Sequence, residues 1–169
     1  MSWSLLWQLP LSLEKCNVLT FHSKCNPVEF DYTLANHPLV RMGNVIYLGI
    51  LMASKLHFSA HITNLCNTAR SRTAIVLKCF QSRDCHLLYK AFITYVRPLL
   101  EYCSSVWSPY RLEDIRKIES IQRKFTKSLR GLGDLSYEQR LTVLKSETLE
   151  IRRIKADLKM YYNILHNLV

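Results

Sequence analysis

The sequence is short of acid. Its 169 residues carry 13 Asp and Glu against 23 Lys and Arg, a net charge of +10, and no two aspartates are adjacent. On charge alone that balance reads either as the mark of a polyanionic partner such as RNA or DNA or as a solvated basic helical surface. The chain also lacks paired cysteines. Its six cysteines stand at 16, 25, 66, 79, 85 and 103, with no Cys-x-x-Cys and no His at ligand spacing, which excludes a zinc-finger framework. With 4 Gly and 5 Pro it is no low-complexity chain, and long elements with few turns are expected. No apolar run reaches the ~20 residues that span a bilayer. The first ten residues lack the basic start and apolar core of a signal peptide. The expectation is a cytoplasmic or nuclear protein that is not secreted. Its thiols are expected to be reduced and mostly buried. No nucleophile–base pair or metal-ligand cluster stands out, so no small-molecule substrate and no membrane partner are expected.

What is present is globular: 49% apolar and 21% charged residues. The charge is uneven. Residues 1–60 hold four Lys and Arg against three acids, and residues 61–169 hold 19 against 10. The basic character belongs to the second part.

The pattern changes along the chain in the same way. Trp3 and Trp7 stand four apart, on one face of a short helix that Pro10 limits. Residues 16–21 are apolar and β-branched and read as a strand. Residues 31–34 and 38–40 flank Ala35, Asn36 and His37 as a short hairpin. Residues 45–51 form an unbroken apolar run, read as one buried strand. From His61 onward the period becomes helical. Ile62, Leu65, Ala69, Thr73, Val76, Leu77 and Phe80 recur at steps of three and four along a first helix. A second starts near Arg83, with Asp84 as its cap. Pro98 should kink or break it near Tyr95. A third starts at Ser108-Pro109 and ends at Gly131 or Gly133. It carries Leu112, Ile115, Ile118, Ile121, Phe125 and Leu129 on one face. Ser136-Tyr137-Glu138-Gln139 fits a capping box for a fourth helix that buries Leu141 and Leu144. A fifth runs from Leu149 toward the C-terminus, with Ile151, Ile154, Leu158, Tyr161 and Leu165 in one stripe. It has no clear stop signal, which suggests that the reading frame is cut within or just after it. The fold class is thus α+β, mainly α: a β-rich piece over residues 1–57 and a bundle of about five helices over residues 58–169.

The residues between 89 and 131 carry a resemblance. An apolar, aromatic-rich segment holds Arg97-Pro98 and Glu101-Tyr102, ends in Trp107-Ser108-Pro109-Tyr110, and leads into a basic amphipathic helix. In this order the chain resembles the C-terminal part of reverse transcriptases from non-LTR retrotransposons of the jockey-like LINE group. The likeness extends upstream. Trp7-Gln8-Leu9 and the stretch around Lys15 are similar to the segment after the active-site hairpin. Tyr47-Leu48-Gly49-Ile50 is similar to the primer-grip hairpin. The resemblance implies that residues 1–57 correspond to the end of the palm and residues 58–169 to the thumb and connector. It also implies that Lys15 lies near the incoming nucleotide and that Tyr47, Leu48 and Gly49 hold the primer end.

The sequence departs from the family where chemistry is concerned. These polymerases hold two Mg2+ ions on a Tyr/Phe-x-Asp-Asp motif and an earlier Asp. Here the first acid is Glu14 and no Asp-Asp occurs. The expectation is a non-catalytic part of a reverse transcriptase, with no cofactor of its own and weak nucleic-acid binding. The alternative is a helical protein-interaction module with no nucleic-acid role. Arg123, Lys124, Lys127 and Arg130 cluster near the end of the third helix. They read either as phosphate contacts or as a solvated face partly neutralised by Glu119 and Glu150. Lys15 reads as a nucleotide contact or as an exposed lysine at a strand start. Trp107, Tyr102 and Tyr110 read as base-stacking groups or as the core of a helix junction. Without further palm strands, residues 1–55 should expose an open edge and apolar surface.

Overall fold

The computed structural model describes residues 2–22 and 30–168, so Cys25 lies outside the described residues. The fold is α+β, mainly α. The chain divides into two compact units, Met1–Phe58 and Ser59–Val169.

The first unit opens with α1 (Ser2–Leu6) and a 3-10 turn at Leu13–Lys15. Trp7 falls just past α1, its N–H bonded to the carbonyl of Trp3, and both indoles are exposed. Among the described residues six short strands follow: β1 (Asn17–Val18), β2 (Thr33–Leu34), β3 (His37–Pro38), β4 (Val40–Arg41), β5 (Asn44–Tyr47) and β6 (Ile50–Ala53). They form three separate ladders, β1 parallel with β4, and β2–β3 and β5–β6 antiparallel. The strand expected over residues 16–21 shrinks to β1, because its parallel partner offers two residue pairs and no more. The hairpin near residue 36 is present. Its two-residue turn is Ala35-Asn36, with φ of 52° and 62°, the left-handed pair that suits the strand twist. His37 pairs with Leu34 as part of β3.

The buried strand expected over residues 45–51 is a correction. The run folds back on itself as β5 and β6, with Tyr47 paired to Ile50 across a turn at Leu48 and Gly49. Gly49 takes φ 83°, which glycine adopts without steric cost. Ile46, Tyr47 and Leu48 are exposed, while Ile50 is buried.

The second unit contains the five expected helices and two single turns. α2 spans Ser59–Cys79 and α3 Cys85–Tyr95. Asp84 caps α3, its carboxylate accepting from the Leu87 N–H at 2.7 Å. The break near Tyr95 is real: α4 (Arg97–Glu101) restarts with Pro98 in its first turn, where a missing N–H leaves no bond unmade. α5 (Ser104–Trp107) is a further turn that the sequence reading did not contain. Because of it, α6 (Leu112–Lys127) begins after Arg111 and not at Ser108. α6 ends at Ser128, and the left-handed turn at Gly131 (φ 79°) comes three residues later. α7 (Tyr137–Val143) carries the complete Ser136–Gln139 capping box. α8 (Leu149–Leu165) is capped by Thr148.

The core lies where α2, α3 and α6 meet. Phe92 stacks on Phe125 with centroids 4.6 Å apart, and Tyr89 flanks Phe92 at 5.9 Å. Ile62, Ala69, Leu88, Ile118 and Leu129 are buried as well. Each large apolar side chain taken fully out of water contributes about 1.5–3 kcal/mol. Leu112, read as part of the apolar face of α6, is 65% exposed instead. Trp107 is 1% exposed, with its Nε1–H donated to the Tyr102 carbonyl at 2.8 Å. It is core, while Tyr102 and Tyr110 are exposed. The expectation that most cysteines are core holds for Cys66. Of the other described cysteines, Cys16 and Cys85 are half-buried, and Cys79 and Cys103 are exposed.

Candidate nucleic-acid interface

The apolar period of α6 decides where its charges go. Burying Ile118, Ile121, Gln122 and Phe125 turns Arg123, Lys124 and Lys127 outward, all exposed. Arg123 and Lys127 are one turn apart and share a face. Arg130, also exposed, lies beyond the helix cap on the turn toward Gly131. Among the described residues none of these four side chains is in a salt bridge. The acids of the first turn are elsewhere engaged. Glu113 and Asp114 both pair with Lys117, and Asp114, 3% exposed, accepts from the Ser59 hydroxyl at 2.6 Å.

Of the two acids read as partly neutralising the basic face, Glu150 is exposed and Glu119 is buried. The Glu119 carboxylate accepts a short hydrogen bond from the Tyr137 hydroxyl, and the N–H groups of Leu149 and Glu150 at 3.3 and 3.2 Å. A carboxylate thus sits on the positive N-terminal end of α8, where the helix dipole and unpaired amides favour it. Gln122 completes the joint: its amide donates to the Tyr137 oxygen at 3.1 Å and to the Glu147 carbonyl at 2.9 Å. Burial, and next the hydrogen bond to Glu119, push the Tyr137 hydroxyl pKa well above its ordinary value.

Tyr137 also supports the basic face from below. The Arg123 guanidinium lies 4.7 Å from its ring centroid, within cation–π range. Arg140, 4% exposed, approaches the same ring at 5.6 Å and donates to the Leu135 carbonyl at 3.0 Å. Arg123 is therefore restrained on its inner side while its charge stays accessible. Sequence reasoning missed Tyr137 and Arg140. The available signal was their place in and just after the capping box, which sets α7 close to the end of α6.

The remaining candidates belong to the first unit. Lys15 ends the 3-10 turn and is exposed. Tyr47, Leu48 and Gly49 form the tip of the β5–β6 hairpin, all exposed. Leu48 holds φ 48°, a left-handed backbone that an apolar residue adopts at a cost of about 1–2 kcal/mol. The tight hairpin implied by the resemblance is thus present as geometry.

The carboxylates described do not fit a two-metal phosphoryl-transfer site. Among the described residues no group of three or more His, Cys, Asp or Glu could hold a metal ion. The two buried acids of α6 are committed to Ser59 and to the start of α8. Among the described residues no helix is long and apolar enough to cross a membrane.

Comparison with known proteins gives a partial answer. No family model matches the chain, and no solved structure matches it. Over 121 residues it is 29% identical to the uncharacterized protein B0403.1 of Caenorhabditis elegans, covering 70% of this chain and 61% of that protein. Over 138 residues it is 28% identical to the RNA-directed DNA polymerase from mobile element jockey of Drosophila melanogaster, covering 76% of this chain and 14% of the polymerase. The chain therefore spans less than two thirds of either relative, and only a small part of the polymerase.

Proposed function

We propose that these residues are the end of the palm, the thumb and the connector of a non-LTR retrotransposon reverse transcriptase, and that they bind nucleic acid without catalysing. The observation that carries this reading is the similarity to the jockey polymerase over 138 residues. The motif order around Arg97-Pro98 and Trp107-Ser108-Pro109 supports it. So does an exposed basic face with Arg123 held on Tyr137. In this reading Arg123, Lys124, Lys127 and Arg130 contact phosphates, which position a strand without reading its bases. In the first unit, Lys15 and the hairpin tip of Tyr47, Leu48 and Gly49 contact the primer strand. The proposal assigns no metal-dependent step to any of these residues.

Fluorescence anisotropy of a labelled RNA, read between about 50 and 200 mM salt, tests the reading. Four phosphate contacts predict a loss of affinity of about two orders of magnitude over that range. Changing Arg123→Ala and Lys127→Ala together should lower the logarithmic salt slope by about two. No binding at the lower salt, or a double variant with the parent slope, overturns it in favour of an interaction module.

A further inference from the structure

The apolar stripe of α8 faces solvent. Ile151, Ile154, Leu158, Tyr161 and Leu165 follow one another at steps of three, four, three and four. Each is between 45% and 62% exposed. The helix instead buries Leu149 and Arg153, on its opposite side, where it packs on α4, α5 and α6. An unpartnered stripe with a 3.5-residue mean step is the seam of a coiled coil, with Ile151, Leu158 and Leu165 at a and Ile154 and Tyr161 at d.

We infer that this seam pairs α8 with α8 of a second copy of this chain, in a parallel, in-register coiled coil. The flanking charges choose the occupant and its direction. Glu150 stands at the g position before Ile151, and Lys155 at the following e position. In a parallel pair of identical helices, g of one chain meets e of the next heptad in the other. Glu150 then faces Lys155 of the second copy twice, by symmetry. In an antiparallel pair g meets g and e meets e, and this contact is lost. Both side chains are available: Glu150 is exposed, and Lys155 is 60% exposed and held by a surface ion pair to Glu147. Such a pair is worth little, so exchanging it costs little. The seam is about two heptads long, so the association is concentration-dependent. It does not rest on the nucleic-acid reading, because the basic face of α6 takes no part in it.

Sedimentation velocity of the full chain between about 1 and 100 μM tests it. A monomer–dimer transition is expected in that range. Leu158→Glu should leave a monomer throughout with an unchanged far-UV spectrum, since Leu158 touches solvent and not core. Ile75→Glu, at an exposed apolar residue of α2 outside the seam, should dimerise like the parent. Glu150→Lys alone and Lys155→Glu alone should each weaken the dimer at least about tenfold, and the two together should restore it. A monomer at every concentration, a dimer that survives Leu158→Glu, or a double exchange that fails to restore pairing each overturns the proposal.

Discussion

In the first unit Ile46, Tyr47 and Leu48 follow one another along the chain, and all three are exposed. In the second, Ile118, Ile121 and Phe125 follow one another along one helix face, and all three are buried. The supply of apolar side chains is comparable, and the use is not. Two-stranded ladders satisfy their own hydrogen bonds but bury little, and an isolated one is marginal in water. Helices twenty-one and sixteen residues long, as α2 and α6 are, deliver several apolar side chains to one shared core. The comparison locates the stability of this chain in Ser59–Val169 and leaves the hairpin at residue 48 as a surface feature.

The largest test of that difference is a pair of truncations read by urea denaturation. Phe125→Ala removes a ring stacked on Phe92 and should cost about 3–5 kcal/mol. Ile46→Ala should change stability by less than about 0.5 kcal/mol. Equal effects from the two would erase the distinction. Within the second unit, Glu119→Gln tests whether the joint between α6, α7 and α8 is structural. Replacing one of the two oxygens that face the Leu149 and Glu150 amides by an NH2 donor should cost about 1–3 kcal/mol. That would appear as a lowered melting temperature. A melting temperature equal to the parent's would remove Glu119 from the account of the fold.

The smallest effect concerns pH. Burial lowers the pKa of His61 below its ordinary 6.5, and its ring packs edge-on against Trp107 at 5.5 Å. The folded form therefore resists a proton that the unfolded chain accepts. His61 should cost no stability well above pH 6.5 and lose it progressively as pH falls through that value. His61→Phe should flatten the dependence of unfolding free energy between about pH 7 and 5. An equally steep curve in the variant would place the effect on other groups.

Much of the second unit was legible because helices announce themselves locally. Asp84, the Ser136–Gln139 box and Pro98 each mark a boundary through bonds made or forbidden within four residues. The candidate basic face was legible for the same reason, since a three-to-four residue spacing is enough to set side chains on one side. The first unit was harder. An apolar run such as residues 45–51 is compatible with one buried strand or with two short strands around Gly49, and period alone does not separate them. The α5 turn was missed because Ser108-Pro109 is a good start signal that the structure does not use. Tyr137 was missed because its partners, Glu119 and Arg123, lie 18 and 14 positions back in the chain.

The sequence by itself determined the α+β class, the basic second part, the places where its helices begin and break, and the resemblance to a retrotransposon polymerase. Tertiary structure alone decided which face of α8 turns inward. By hydrophobic period the stripe from Ile151 to Leu165 belongs inside, yet Leu149 and Arg153 are the buried positions. The reason is anchoring. The Glu119 carboxylate binds the first amides of α8, and Arg152 donates from Nε and Nη2 to the two carboxylate oxygens of Glu101 in α4. Those contacts orient the helix from its N-terminal end. They join residues about 30 and 51 positions apart, a separation that no local pattern encodes.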